Sequence, residues 1–245
     1  MTLVQFLAPE ITGTYEIAQG IRAIGQGAFE HNYRLSSIVI PDSVTSIGDH
    51  AMDDCRSLKE IVIPDGVVSI GFMAFSDCRN LESVTIADSV TEIGADIFCD
   101  CESLTSISIS PDHPAYEVTD LLLVRKEDKK IIAASGAIRG KYAIPEGIRA
   151  IGEFALRGCR YLEELFIPDT VTRIGGSAFW ADTVVRACPG SIAQKYCAAD
   201  HSVRFTEITP EEYAEEVRKL EQEKADGEPA DPGYTVIGEI GRAHV

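Results

Sequence analysis

The feature that most constrains this chain is a step. Ile17, Ile40, Ile63, Ile86 and Ile109 recur every 23 residues, and Ile144 and Ile167 resume the same step after one interruption. A period of this length means that one small supersecondary unit is repeated and stacked, and it outranks any local motif.

Aligning the copies gives a template: Leu, two variable residues, an aliphatic, one variable residue, Ile, then Pro-Asp-x-Val-Thr-x-Ile-Gly-x-x-Ala-Phe-x-x-Cys. Leu58 to Ile63 is followed by Pro64, Val67, Ile70, Gly71, Ala74, Phe75 and Cys78. Leu35 to Ile40 leads to Pro41, Val44, Ile47, Gly48, Ala51, Met52 and Cys55, and Leu81 to Ile86 leads to Val90, Ile93, Gly94, Phe98 and Cys101. Leu162 to Ile167 leads to Pro168, Val171, Ile174, Gly175 and Phe179. Partial copies carry Ile21, Ile24, Gly25, Ala28 and Phe29, and Ile148, Ile151, Gly152, Ala155, Leu156 and Cys159.

The periods within one copy predict its shape. Leu-x-x-Ile-x-Ile alternates by two, as a strand with one buried face does, and Pro-Asp supplies a turn. Val-Thr-x-Ile predicts a second short extended run that Gly breaks, and Ala-Phe-x-x-Cys has the spacing of one helical turn packed inward. Each copy is therefore one coil. Burying an aliphatic side chain yields about 1.5–3 kcal/mol, while ordering costs about 1.5 kcal/mol for every residue, so one coil cannot fold alone. Stacking buries both flat ends against neighbours, with parallel strands about 4.8 Å apart, and the stack needs end caps.

The template resembles the BspA-like class of bacterial leucine-rich repeat proteins over roughly residues 3 to 206. The resemblance implies a repeat solenoid: a right-handed coil stack of leucine-rich-repeat type with a parallel β-sheet, short helical turns, one inserted hairpin and a C-terminal cap. It further implies a non-enzymatic surface for protein or glycan ligands, often exported and displayed on bacterial cells, and it carries no catalytic residues over.

The expected organisation follows the template. Residues 1–16 form a partial module, 17–110 regular repeats, and 111–143 an irregular repeat with a hairpin insertion. Residues 144–188 return to repeats, 189–208 form the cap, 209–226 an amphipathic helix and 227–239 a linker. In the irregular stretch Leu121 to Val124 and Ile131-Ile132 flank a charged Arg125 to Lys130 segment, which predicts a small hairpin protruding from the stack. Leu3-Val4-Gln5-Phe6, Gly13, Tyr15, Ile17, Gly20 and Ile21 match the end of that stretch, so we expect the chain to begin within a module, with repeats upstream of Met1. Residues 240–245 translate ATC GGA AGA GCA CAC GTC, similar to a common sequencing adaptor, and are set aside as an expected artefact.

In the cap, Pro189-Gly190-Ser191 opens a short helix through Ile192, Ala193, Tyr196 and Cys197, followed by a strand at Val203 to Phe205. Thr209-Pro210-Glu211-Glu212 is a helix start, and Tyr213, Val217 and Leu220 share one face, which packs back on the solenoid, joins it to a neighbour or binds a partner.

Composition narrows the function classes. A net charge of −17 from 22 basic and 39 acidic residues opposes binding to nucleic-acid backbones or anionic lipid. No apolar run is long enough to span a membrane. Four of the seven cysteines, Cys55, Cys78, Cys101 and Cys159, occupy one repeat slot and are expected as buried space-fillers. Cys99 lies too close to Cys101 for a relaxed bridge, and Cys188 and Cys197 pair only if geometry permits. Asp42, Asp65, Asp88 and Asp169 form one column, and Asp54, Asp77 and Asp100 another. Such stacks carry the charge for calcium, but aspartate at turns ordinarily bonds its own backbone. His31, His50, His113, His201 and His244 share no slot and are expected to face solvent. No nucleophile, phosphate-loop or metal-ligand motif is present, so no cofactor, metal or catalytic residue is expected.

The candidate site is the strand face. Val39, Val62, Thr85, Ser108 and Phe166 point outward between buried aliphatics and form an uncharged stripe flanked by Glu60, Glu82, Glu163 and Glu164. Such a stripe suits a protein or glycan ligand. The alternative function is a structural spacer for an activity in a missing domain.

Overall fold

The computed structural model of the protein describes residues 2–3, 11–200 and 202–226. The readings at Val4, Gln5 and Phe6, at His201 and His244, at the linker and at the adaptor-like tail therefore lie outside the described residues.

The chain is a parallel-strand solenoid of about eight turns. The Leu-x-x-Ile-x-Ile runs form one row of strands: β2 (Gly13–Glu16), β4 (Leu35–Val39), β6 (Glu60–Ile63), β8 (Ser83–Ile86) and β10 (Ser106–Ile109), then β14 (Arg139–Ala143), β16 (Tyr161–Phe166), β18 (Val184–Ala187) and β19 (Arg204–Glu207). The Thr-x-Ile runs form a second row: β1 (Thr2–Leu3), β3 (Ala23–Ile24), β5 (Ser46–Ile47), β7 (Ser69–Ile70) and β9 (Glu92–Ile93), then β11 (Tyr116–Thr119), β12 (Leu122–Arg125), β13 (Lys130–Ala134), β15 (Ala150–Ile151) and β17 (Arg173–Ile174). Pairing follows the repeat step, Ile63 beside Ile86 beside Ile109 and Ile47 beside Ile70 beside Ile93. Ile61, Ile63, Val67, Ile70, Ala74, Phe75 and Cys78 of one coil are all at most 3% exposed.

The third side differs from the expected helical turn. Alanine, phenylalanine and cysteine point inward, but the backbone is a run of turns whose amides alternate in direction. Ala51 N bonds Gly48 O within its own coil, whereas Met52 N bonds Ala74 O of the next coil at 2.8 Å. Phe29 N to Ala51 O (2.7 Å) and Phe75 N to Ile97 O (3.2 Å) repeat the pattern, which makes a third intercoil ladder. Alternation requires left-handed residues, and the Asp54, Asp77 and Asp100 column supplies them, with φ of 59°, 53° and 54°. Aspartate tolerates that region better than most residues, which accounts for the column without an ion.

The Gly of Ile-Gly opens the turn that follows, Gly48 O accepting from Ala51 N at 3.3 Å, but glycine is required there for a second reason. A Cβ on Gly94 would lie 2.6 Å from both Gly71 C and Phe72 N of the preceding coil, so glycine is required for coils to approach closely enough for Gly94 N to reach Ile70 O at 2.8 Å. The inserted hairpin does not protrude. Leu122, Leu123, Val124 and Ile131 are fully buried, and β13 pairs in parallel with β15, so the antiparallel β11-β12-β13 unit is built into the second row. Tyr116 seals its junction with β9, its hydroxyl accepting from Ile93 N (3.0 Å) and donating to Thr91 O (3.2 Å).

This junction is less well satisfied than the repeats. Asp96 is 3% exposed with neither carboxylate oxygen hydrogen-bonded, and burial pushes its pKa up to about 6. His113 is also buried rather than solvent-facing; its Nδ1 accepts from Tyr116 N at 3.1 Å and its Nε2 lies 3.2 Å from Ala87 O.

The cysteine column does more than fill space. Cys55, Cys78 and Cys101 donate to Phe29, Met52 and Phe75 carbonyls of the preceding coil at 3.1, 3.2 and 3.0 Å. Burial pushes the Cys55 and Cys159 thiols up to about 12, so they remain protonated donors. All seven cysteines, including Cys188 and Cys197, are free thiols.

Because close coil approach depends on the glycine column, Gly94→Ala is expected to destabilise the stack by about 1–3 kcal/mol, the cost of overpacking. A urea unfolding midpoint clearly below that of the unsubstituted protein checks this; an unchanged midpoint contradicts it.

Candidate binding face

The first row of strands has one face on the core and one outward, because strand side chains alternate. Ile38, Ile61 and Val84 point inward and are buried at 5%, 1% and 1%. Between them Val39 and Val62 stand outward, 49% and 56% exposed, followed by exposed Thr85 and half-buried Ser108. Val62, Thr85 and Ser108 are direct register partners across β6, β8 and β10. Four of the five expected stripe residues thus line one open column, with Glu60 and Glu82 exposed beside it.

Phe166 departs from the expectation. It occupies the equivalent outward slot, in register with Ala143 and Arg186, but is only 1% exposed. The cover is α2 (Pro210–Ala225), whose Tyr213, Val217 and Leu220 pack with Ile208 on Phe166 and Ala143. Tyr213 Oη donates to Ile144 O at 3.3 Å. Lys141 lies 3.8 Å from Glu216, and Lys224 Nζ is 2.7 Å from Asp120. The predicted capping box fixes the start of α2: Thr209 Oγ1 accepts from Glu212 N (3.2 Å), and Glu212 accepts from Thr209 N (2.7 Å).

The strand face is therefore divided. Its first half is open and uncharged along the valine column; its second half is occupied by the chain's own helix. Glu164 in the covered half is paired with Arg186 at 2.7 Å, so its charge is largely matched. The end of the stack is closed by α1 (Ile192–Ala199), N-capped by Ser191, with Ala193 and Cys197 buried against the last coil.

The family's sequence profile for the BspA type leucine rich repeat region matches six copies, over residues 16–117 and 139–186, which is more than half of the chain. The chain belongs to the BspA-type leucine-rich repeat family. No curated protein matches the sequence. Among solved structures, the pneumococcal vaccine antigen PcpA is 20% identical over 70% of this chain and 48% of its own length, with a TM-score of 0.51. A leucine-rich repeat protein from Eubacterium ventriosum is 21% identical over 72% of this chain and 60% of its own, at 0.54. One from Bacteroides ovatus is 25% identical over 80% and 63%, at 0.46. The first two likenesses show the fold of a leucine-rich repeat stack, and the chain spans between about half and two thirds of each neighbour.

In this BspA-type chain Tyr213 is the most deeply buried residue of the α2 face, with Val217 and Leu220 only partly buried beside it. Tyr213→Ala is expected to free the helix while leaving the repeats folded. Trypsin cleavage after Arg218 and Lys219 should then quicken at least about tenfold, the effect of losing more than ~1.4 kcal/mol of local stability. Unchanged cleavage would show that α2 is held elsewhere.

Proposed function

We propose that this chain is a non-enzymatic binding module that engages a protein or glycan through the open half of its strand face, as part of a bacterial surface or secreted protein. The observation that carries the reading is the divided face. Outward β-branched side chains at Val39 and Val62 stay half exposed while the same face from β14 to β16 is covered by an apolar helix surface. Covering an exposed valine yields up to about 1.5–3 kcal/mol, so two or three such contacts can anchor an interface when shape fits. Val39, Val62, Thr85 and Ser108 are the residues assigned to it; Phe166 is not, because α2 has taken its place.

Family membership supports the class, since leucine-rich repeat stacks serve chiefly as recognition surfaces. A pneumococcal vaccine antigen with this fold agrees with a role outside the cell. No helix among the described residues is long and apolar enough to cross a membrane, so attachment, where it exists, rests on some other feature. The strong negative charge argues against nucleic acid as a partner. A structural spacer is the competing reading, and the chain's partial coverage of its neighbours is what favours it.

Immobilised chain tested against purified extracellular-matrix proteins and a glycan array separates the two. Saturable capture is expected, weakened at least about tenfold (~1.4 kcal/mol) by Val39→Lys with Val62→Lys, and unaffected by Arg218→Glu on α2. Both valines are surface positions, so the double variant should keep its fold. Capture indifferent to the valine changes would move the site to another face, and no saturable capture from either panel would favour the spacer.

A further inference from the structure

The repeat lets each position be compared with its own copies. On the third side, one slot holds Gly27, His50, Met73 and Asp96 in successive coils, a second holds Glu30, Asp53, Ser76 and Cys99, and a third holds His31, Asp54, Asp77 and Asp100. The third coil fills the first two slots with methionine and serine. The first two coils instead bring Glu30, His31, His50, Asp53 and Asp54 together on one surface.

Three of these converge. One ligand-type atom each from Glu30, His50 and Asp53 lies within 4.8 Å of the other two. His50 Nδ1 is 3.0 Å from Asp53 Oδ2, and His31 Nε2 is 3.6 Å from Glu30 Oε1. Asp54 is otherwise engaged: Arg56 donates to its two oxygens at 2.6 and 3.2 Å, and His31 Nδ1 lies 3.2 Å away. Burial raises the Asp54 pKa, but Arg56 and His31 outweigh it and hold the carboxyl below its usual range. Neither Glu30 nor Asp53 has a lysine or arginine partner among the described residues. Gly27 has no side chain beside the Glu30 carboxylate, where a Cβ would sit 2.8 Å from Oε2.

We propose that Glu30, His50 and Asp53 form a three-residue binding site for a divalent transition cation of the zinc class, which leaves the fourth position of a tetrahedral shell to water. Two carboxylates and a neutral imidazole carry two negative charges, which match the ion. Metal–ligand bonds of about 2.0–2.2 Å place tetrahedral ligand atoms roughly 3.4 Å apart, so the three atoms, now within 4.8 Å of one another, need side-chain shifts of at most about 1.4 Å. Mixed nitrogen and oxygen donors suit zinc rather than calcium, which prefers oxygen alone. Glu30 comes from one coil and His50 and Asp53 from the next, so the ion would pin the first two coils together.

The test is equilibrium dialysis of the full chain, stripped with chelator, against Zn²⁺, and absorption spectroscopy with Co²⁺. The half-buried Cys188 is changed to serine throughout so that accessible thiolate does not compete. One equivalent is expected to bind saturably, with no cobalt–thiolate charge-transfer band. His50→Asn, which keeps a residue tolerant of the φ of 54° at this position, and Glu30→Gln should each weaken binding at least about tenfold. Circular dichroism confirms that both variants are folded. Absence of saturable binding, a thiolate band, or equal affinity in the variants would overturn the assignment.

Discussion

Everything in this protein depends on backbone hydrogen bonding between equivalent positions of successive coils. Gly71 N reaches Ile47 O and Gly94 N reaches Ile70 O, both at 2.8 Å, while Met52 N reaches Ala74 O on the opposite side of the coil. These bonds hold only if equivalent positions of neighbouring coils stay in register and nothing intrudes between backbones. The 23-residue step, the glycine column and the left-handed aspartates are three sequence consequences of that one requirement. The buried thiols add a side-chain strand to the same pattern, each donating to the coil before it.

Features that repeat were legible in the sequence, because each copy tests the others. The strand rows, the inward aliphatics, the cap helix and the capping box at Thr209 all follow from spacing and residue type. What was not legible arises where the copies stop being equivalent. Leu122 and Val124 sit in a segment with no second copy, and alternating apolar residues around a charged turn do not reveal whether a hairpin stands out from a stack or completes its sheet. Phe166 occupies an outward slot by register, and its burial depends on a helix more than forty residues later in the chain. A glycine after a strand signals the turn that follows, but only the distance to the neighbouring coil shows that Gly71 and Gly94 are also needed for contact. The Glu30 and Asp53 pair was within reach, since the two share a slot, but His50 enters only when the turn is seen to bring it beside them.

The two halves of the solenoid show how one architecture yields different surfaces. From β4 to β10 the outward residues are valine, threonine and serine, and the face is open. From β14 to β18 the same face carries Ala143 and Phe166, and an amphipathic helix seals it. The hairpin unit lies between them and contains the buried, unbonded Asp96 at its border. A buried carboxylate without hydrogen-bond partners is costly, so Asp96 weakens this border. The open half and the covered half thus meet at the place where the repeat is interrupted, and the open half lies on the more regular side.

Residue-resolved amide hydrogen exchange would test the collective stack most directly. If three intercoil ladders hold the coils, the amides of Phe29, Met52 and Phe75, which bond the next coil from within turns, should be protected to the same degree as the strand amides of Ile61 and Val84. The turn amides of Ala28 and Ala51, bonded within their own coils, should open only with the stack. Rapid exchange at Phe29, Met52 and Phe75 beside slow exchange in the strands would contradict the account, leaving a two-sided sheet whose third side is merely a loop.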